Sequence, residues 1–282
     1  MIVTRYLASH LRDILEHNRL KVSKLSHFND PFEFRYRHVG DFGRSAAKRT
    51  LRTRMKTPEF WATLREAYAL QDKSKKNLKK VLQNKREEIL DSLQRRLPKD
   101  FLELIDKVPE YADRTTRIIC FSQATQRPLE EILLWSHYTN GHSGFRIWVD
   151  LSNEALPLSK TFRVSYSEEL PAIENKQVAD LDLYESIIEI AMGTKAKCWE
   201  YEAEVRSFIP RGFFVTEVTK GNEIDYVKIR PESIVRIDFG VRYDRKERDR
   251  LISDFSEVLA NRVELRQAKR SYDRYELEYS KL

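Results

Sequence analysis

Cysteine is the scarcest chemistry in this chain. Only Cys120 and Cys198 occur in 282 residues, and neither stands in a C-x-x-C pair. That spacing excludes a disulfide framework and argues against a structural zinc site. The six histidines do not gather at ligand spacing either. His137 and His142 flank a Thr-Asn-Gly turn that would make an unusual chelate, so no metal is expected. G-x-x-x-x-G-K-[ST] and G-x-G-x-x-G are both missing, which argues against a P-loop or Rossmann site. No apolar stretch approaches the roughly 20 residues of a membrane span, and MIVTRYLASHLRDILEHNRL lacks the apolar run of a signal peptide. The expectation is a cytoplasmic protein with no membrane partner. Internal repeats, low-complexity linkers and the sequence signature of a nucleophile triad are absent as well.

What the chain does have is charge and aromatic residues. Charged residues make up 34% and hydrophobic residues 41%, wetter than an average globular protein, yet 14 Phe, 13 Tyr and 4 Trp suffice to build a core. The net charge of +7 is unevenly placed. Residues 44–99 carry 17 Lys or Arg against 6 Asp or Glu, which is +11, leaving −4 elsewhere. Such a block attracts nucleic acid or an acidic partner through counterion release. A solvated helical face explains it equally well, because no base-reading motif lies within it.

Periodicity suggests how the chain is organised. IVTRYL reads as a strand, and SHLRDILEHNRL after it places Leu11, Ile14 and Leu15 at helical spacing. Asn29-Asp30-Pro31 reads as a turn of fixed shape, since the proline pushes Asp30 away from helix. Thr57-Pro58-Glu59 has the marks of a helix start. Leu78, Leu82, Ile89, Leu93 and Leu97 then follow along one face until Pro98, where the helix is expected to stop. From Arg117 short strands take over: RIICFS, GFRIWVD, FRVSYS, YEAEVRSFIP, DYVKIR and IVRIDFG. They are interrupted by a helix at about 178–197 and followed by one over about 248–262. The sum is a single α+β domain over residues 1–282, mostly antiparallel sheet with surrounding helices and a basic helical insertion at about 44–112.

Three places carry candidate chemistry. In YEAEVRSFI a strand period of two puts Glu202, Glu204 and Arg206 on one face and Ala203, Val205, Ser207 and Ile209 on the other. An exposed charged strand face, with Arg206 pairing a glutamate, accounts for this without function. The functional reading is that two carboxylates flank a developing cation, one stabilising it and the other deprotonating the attacking group. The second place is ICFSQATQRPLEEILLWSHYTNGHSGF. There Ser122 ends a strand where its hydroxyl can hold a carboxylate, while Trp135, His137 and Tyr138 precede the Gly141 turn and can stack on a planar ring. Read singly, Trp135 is a core anchor and His137 a satisfied, partly buried histidine. The third is Arg5-Tyr6 on the first strand, where an arginine can clamp a phosphate and is otherwise surface charge.

Taken in order, FNDPFE, ICFS, W-S-H-Y followed by G-F, and W-E-Y-E-A-E-V-R resemble motifs of the bacterial family called domain of unknown function 2971, over nearly the whole chain. That resemblance implies no activity by itself. It suggests a context among abortive-infection and phage-defence proteins. More remotely the chain is similar to ADP-ribosyltransferases of the Arg-Ser-Glu type. In those, an arginine on the first strand, a strand ending in serine and an E-x-E strand surround an NAD cleft between split, mostly antiparallel sheets. The likeness implies NAD as co-substrate. Arg5 would hold its phosphate or ribose, Ser122 would position Glu204, Glu204 would stabilise the ribosyl cation and Glu202 would serve the acceptor. Tyr6, Asn29, His137 and Tyr138 fall to the cofactor as well, and Tyr138 or Phe28 would supply the aromatic against nicotinamide. Lys75, Lys76, Lys79 and Lys80 of the basic helices would contact a nucleic-acid or protein target. The expected function is mono-ADP-ribosyl transfer by a defence effector or toxin. The alternatives are a non-enzymatic nucleic-acid-binding or sensing module and an NAD glycohydrolase.

Overall fold

The computed structural model describes residues 1–282 except 40–41, 69–74, 125–126, 175–182, 220 and 260–261, together with the side chains of 38, 75, 104, 174, 183 and 184. The chain divides into two compact units: Met1–Glu33, Ala112–Glu169 and Met192–Leu282 form the first, and Phe34–Tyr111 and Leu170–Ala191 the second. Fifteen strands lie among the described residues. The first ten are β1 (Ile2–Leu7), β2 (Arg19–Val22), β3 (Arg37–Val39), β4 (Thr116–Gln123), β5 (Phe145–Asp150), β6 (Thr161–Arg163), β7 (Ser165–Ser167), β8 (Ala172–Glu174), β9 (Thr194–Ala196) and β10 (Glu204–Pro210). Then come β11 (Val215–Thr219), β12 (Asn222–Lys228), β13 (Ile234–Phe239), β14 (Glu264–Arg270) and β15 (Leu277–Lys281). Most pairings are antiparallel, and the architecture is α+β.

The first unit is built on an eight-stranded sheet in the order β15-β14-β13-β5-β1-β4-β10-β6. A three-stranded sheet, β11-β12-β2, and the parallel pair β7-β9 accompany it. Alternate residues of β1 serve different cores, as the pleat requires. Val3 joins Leu11, Ile14 and Leu15 of the helix Leu11–His17 in the main core, with Ile119, Phe121, Ile147 and Val205. Tyr6 packs with Leu134 and Trp135 of the helix Pro128–Tyr138.

Around Tyr6 the packing is partly ionic. Arg146 is buried, donating through Nε to Asp238 at 2.8 Å and through Nη1 to the Tyr6 hydroxyl at 2.9 Å, and it also pairs with Glu131. The rings of Trp148, Tyr279, Tyr6 and Trp135 frame it at 4.9–5.7 Å. Trp135 is fully buried and donates its indole N–H to the Tyr279 hydroxyl at 3.0 Å.

Where β1 meets β4 the sheet opens. β1 pairs with β5 along its whole length, from Ile2 to Leu7, but with β4 only through Val3–Gln123 and Thr4–Ser122. β4 in turn pairs with β10 over seven residues, from Glu204–Ser122 to Pro210–Thr116. From Arg5 onward, then, the two halves of the sheet part. The end of β1 stays with β5 because Gly144 lies so close that a Cβ there would run into the Leu7 carbonyl oxygen.

The second unit is mainly helical. Its core is Ala47, Leu51, Leu64, Leu78, Leu82, Leu90 and Leu93, drawn from helices Arg44–Arg54, Pro58–Ala67, Lys75–Asn84 and Arg86–Ile105. The Thr57 hydroxyl accepts from the Phe60 N–H, so the expected helix start is present. Pro98 does not end its helix: Arg86–Ile105 continues through it. Leu90 and Leu93 before it and Phe101 and Ile105 after it are all buried, and that packing holds the helix together across the one backbone bond proline removes. The helix expected at about 178–197 spans Leu183–Met192, with 178–182 outside the described residues. Residues 194–196 are instead strand β9, and Lys197–Glu202 forms a 3-10 turn.

Trp135 anchors one face of the sheet, and Trp135→Ala is expected to lower the unfolding free energy by about 3–5 kcal/mol. Urea denaturation measures it; a loss below about 1 kcal/mol would show that the Tyr6–Arg146 cluster stands without its indole.

Candidate functional site

The opening between β1 and β4 is a cavity of about 380 Å³ within the first unit. Arg5 and Tyr6 line it from β1, Cys120 and Ser122 from β4, Phe28 and Asn29 from the Asn-Asp-Pro turn, and Tyr138, Lys195, Glu202 and Glu204 from the far side. Residues scattered from 5 to 204 therefore converge. Thr4, Ser122 and Glu204 stand in one row across β1, β4 and β10, and two strand spacings put the backbones of Thr4 and Glu204 roughly 10 Å apart.

Glu202 and Glu204 adjoin for a different reason than a shared strand face. Glu202 ends the 3-10 turn, Ala203 adopts a left-handed conformation with φ of 44°, and β10 begins at Glu204. This kink aims both carboxylates at the same place. Nor is the charged face exposed: Glu202 and Glu204 are buried, and Arg206 is at 0% exposure. Buried charges need partners. Arg206 donates from Nη2 to Glu204 at 2.6 Å and holds Glu33 with both terminal nitrogens, at 2.9 and 3.1 Å. It also donates to the Met192 carbonyl at 2.8 Å. The Lys195 ammonium lies 2.5 Å from Glu202, 3.4 Å from Glu33 and 3.5 Å from Glu204. Tyr138 donates its hydroxyl to the other oxygen of Glu202, and the Glu204 N–H donates to the Tyr166 oxygen at 2.7 Å. Three carboxylates and two cations leave the cluster one negative charge.

These partners push the two carboxyls in opposite directions. Burial raises Glu204, but Arg206, then Lys195 and the Cys120 thiol, outweigh it and bring its pKa below the usual range. Burial also raises Glu202, and there Lys195 and Tyr138 do not fully offset it, so its pKa stays above that range. Glu204 is thereby a standing negative charge, and Glu202, the more basic of the two carboxylates, is the one suited to accept a proton. Cys120 is inert, because burial and the Glu204 charge push its thiol well up.

At the other side of the cavity Arg5 has the opposite problem. Burial lowers its pKa to about 10, and the Cys120 thiol gives the one opposing influence. Its Nη1 is buried with no hydrogen-bond partner among the described residues. A guanidinium beside a cavity with no carboxylate partner among the described residues has the chemistry to bind an anion.

Of the site residues expected from sequence, Arg5, Tyr6, Asn29, Ser122, Tyr138, Glu202 and Glu204 line this cavity. Ser122 stands beside Glu204 in register, although the hydrogen bonds to that carboxylate come from Arg206 and Cys120. His137 is not among the lining residues. It is exposed, and its Nδ1 shares a hydrogen bond of 3.0 Å with the Tyr201 hydroxyl. Lys76, Lys79 and Lys80 are exposed on the helix whose Leu78 and Leu82 are buried, and the Lys75 side chain lies outside the described residues. Sequence reasoning missed Lys195, Glu33 and Tyr166, and it placed Arg206 only as a surface partner. Among the described residues no group of three or more His, Cys, Asp or Glu has the arrangement to hold a metal ion, and no helix is long and apolar enough to cross a membrane.

No protein-family model, no curated protein and no solved structure matches the chain.

The ion cluster generates a stability prediction. Arg206→Met strands Glu33 and Glu204 in the interior and is expected to cost about 3–5 kcal/mol at neutral pH. Arg206→Lys recovers only part of this, since an ammonium cannot fork between two carboxylates. Because Glu204's folded pKa is depressed, the stabilisation is present above the ordinary carboxyl value of 4.5 and fades as pH falls through the lower folded value. Urea denaturation at several pH values checks both; a cost that does not shrink in acid contradicts the ionic origin.

Proposed function

We propose that the protein is an NAD-dependent mono-ADP-ribosyltransferase, with the opening between β1 and β4 as its nucleotide cleft in a split-sheet fold of that class. The observation that carries this reading is the convergence of Arg5, Ser122, Glu202 and Glu204 on one cavity, with Arg5 showing no carboxylate partner among the described residues. The uncompensated guanidinium suits a pyrophosphate. The carboxylate of Glu204, ionised by its surroundings, suits the positive charge that grows on the ribose carbon as its bond to the nicotinamide nitrogen breaks. The bonding electrons leave with nicotinamide, the acceptor's oxygen or nitrogen closes on the ribose carbon, and Glu202 takes the proton that the acceptor gives up. Phe28 and Tyr138 both line the cavity and offer ring surface to the nicotinamide. The exposed lysines of Lys75–Asn84 suit recruitment of an acidic target.

Incubation with labelled NAD and a cell lysate tests the proposal. The expected outcome is label on protein or RNA with wild type and at least a hundredfold less with Glu204→Gln, the usual scale for losing a positioned charge. Nicotinamide release without label would identify an NAD glycohydrolase. If NAD is untouched, and salt-sensitive RNA binding survives Glu204→Gln but is lost when Lys75, Lys76, Lys79 and Lys80 are neutralised together, the protein is a binding module.

Arg5→Met separates binding from folding. Removing a buried cation with no carboxylate partner among the described residues is expected to leave thermal stability equal or higher while NAD affinity falls by about 10–100-fold. Calorimetric titration and a melting curve measure the pair; a variant that loses stability and keeps NAD affinity would make Arg5 structural.

A further inference from the structure

Lys195 has no role in the reading above, yet it is the cation closest to Glu202. We propose that Lys195 is a positioning residue of this site: its ammonium clamps Glu33, Glu202 and Glu204 together and holds Glu202 toward the cavity as a carboxylate.

The geometry divides the work between two cations. Arg206 binds Glu33 and Glu204 and makes no hydrogen bond to Glu202 among those described. Glu202 is held by Lys195 at 2.5 Å and by the neutral Tyr138 hydroxyl. Lys195 lines the cavity and Arg206 is not among its lining residues, so of the two cations of the cluster Lys195 is the one next to the cavity. It rests 4.9 Å from the centre of the Trp199 ring, which limits where the ammonium can swing. Burial works against its charge, but Glu204, Glu202 and Glu33 together raise its pKa, so it stays protonated and is no nucleophile.

The groups that face Glu202 are Lys195 from β9, Tyr138 from the helix Pro128–Tyr138, Tyr166 from β7, Tyr201 from its own turn, Glu204 from β10, and Glu33 across the ammonium. Lys195 is the one cation in this set. Without it the cluster changes from three carboxylates and two cations to three carboxylates and one. Arg206 already serves two of those carboxylates, which leaves Glu202 buried beside a like charge. Such a carboxyl takes up a proton rather than remain ionised.

This inference rests on the proposed function only in calling the cavity the reaction site, and its test contains no nucleotide, so the two can fail separately. The probe is the protein labelled with carboxyl-¹³C glutamate, its resonances followed against pH by NMR and Glu202 assigned by its loss in Glu202→Gln. In Lys195→Met the Glu202 carboxyl is expected to titrate about 1–3 pH units higher than in wild type. In Lys195→Arg, which restores the charge, it returns to within about one unit of wild type. A purely structural lysine would leave the titration in place, and an unmoved Glu202 overturns the proposal. If Lys195→Met does not fold, the double variant Glu202→Gln/Lys195→Met decides: recovery of the folded state is expected, because it removes the stranded charge together with its partner. A double variant as unfolded as the single one overturns the proposal.

Discussion

The cavity exists because β1 and β4 share only two residue pairs before they separate, although each is fully paired on its other side. A sheet that parts in its middle exposes backbone and side chains that a continuous sheet would cover. Here the gap receives Arg5 from one edge and Cys120 and Ser122 from the other. The second edge is stiffened from behind by β10, and β10 delivers Glu204 and Arg206. The cavity and the buried ion cluster beside it thus both lie at one interruption in strand pairing.

The two sides of that gap are electrically unlike. Glu33, Glu202, Glu204, Lys195 and Arg206 pair with one another in a tight network with one excess negative charge, although the Arg206 Nε is buried without a hydrogen-bond partner among the described residues. Arg5 faces the space without such help. A paired network with one excess negative charge, lining the same cavity as a cation without a paired carboxylate among the described residues, is the charge pattern on which the proposed NAD reading rests. The Arg146 cluster makes the contrast plain. It too is a buried arginine among aromatic rings and carboxylates, but its guanidinium is paired with Asp238 and Glu131, and Tyr6 is the member of the cluster that reaches the cavity. It acts as packing.

How far the sequence revealed this depends on the range of each interaction. Strand periodicity identified β1, β4, β5, β10 and β13, because a period of two is local. Arg5, Ser122 and Glu204, grouped in the sequence only by the remote resemblance to Arg-Ser-Glu enzymes, all line the cavity, as does Asn29 of the Asn29-Asp30-Pro31 turn. Glu202 and Glu204 were paired correctly for an incorrect reason, since a left-handed Ala203 is not visible in a run that alternates like a strand. Pro98 misled because a helix boundary was read from one backbone bond, while buried residues on both sides carry the helix through. Lys195 and Glu33 were illegible for a third reason. Nothing in Gly-Thr-Lys-Ala-Lys distinguishes a buried lysine from a surface one until β9 pairs with β7 and brings it against residues 33 and 202. The last residue of FNDPFE is that same Glu33, so the motif held an ion-pair partner as well as a turn.

A crystal structure with a non-hydrolysable NAD analogue decides whether the opening between β1 and β4 is the nucleotide cleft we propose. The pyrophosphate is expected within hydrogen-bond distance of the Arg5 guanidinium and the nicotinamide ribose against Glu204. An analogue bound elsewhere, or an empty opening with Arg5 unengaged at saturating concentration, would contradict the proposal.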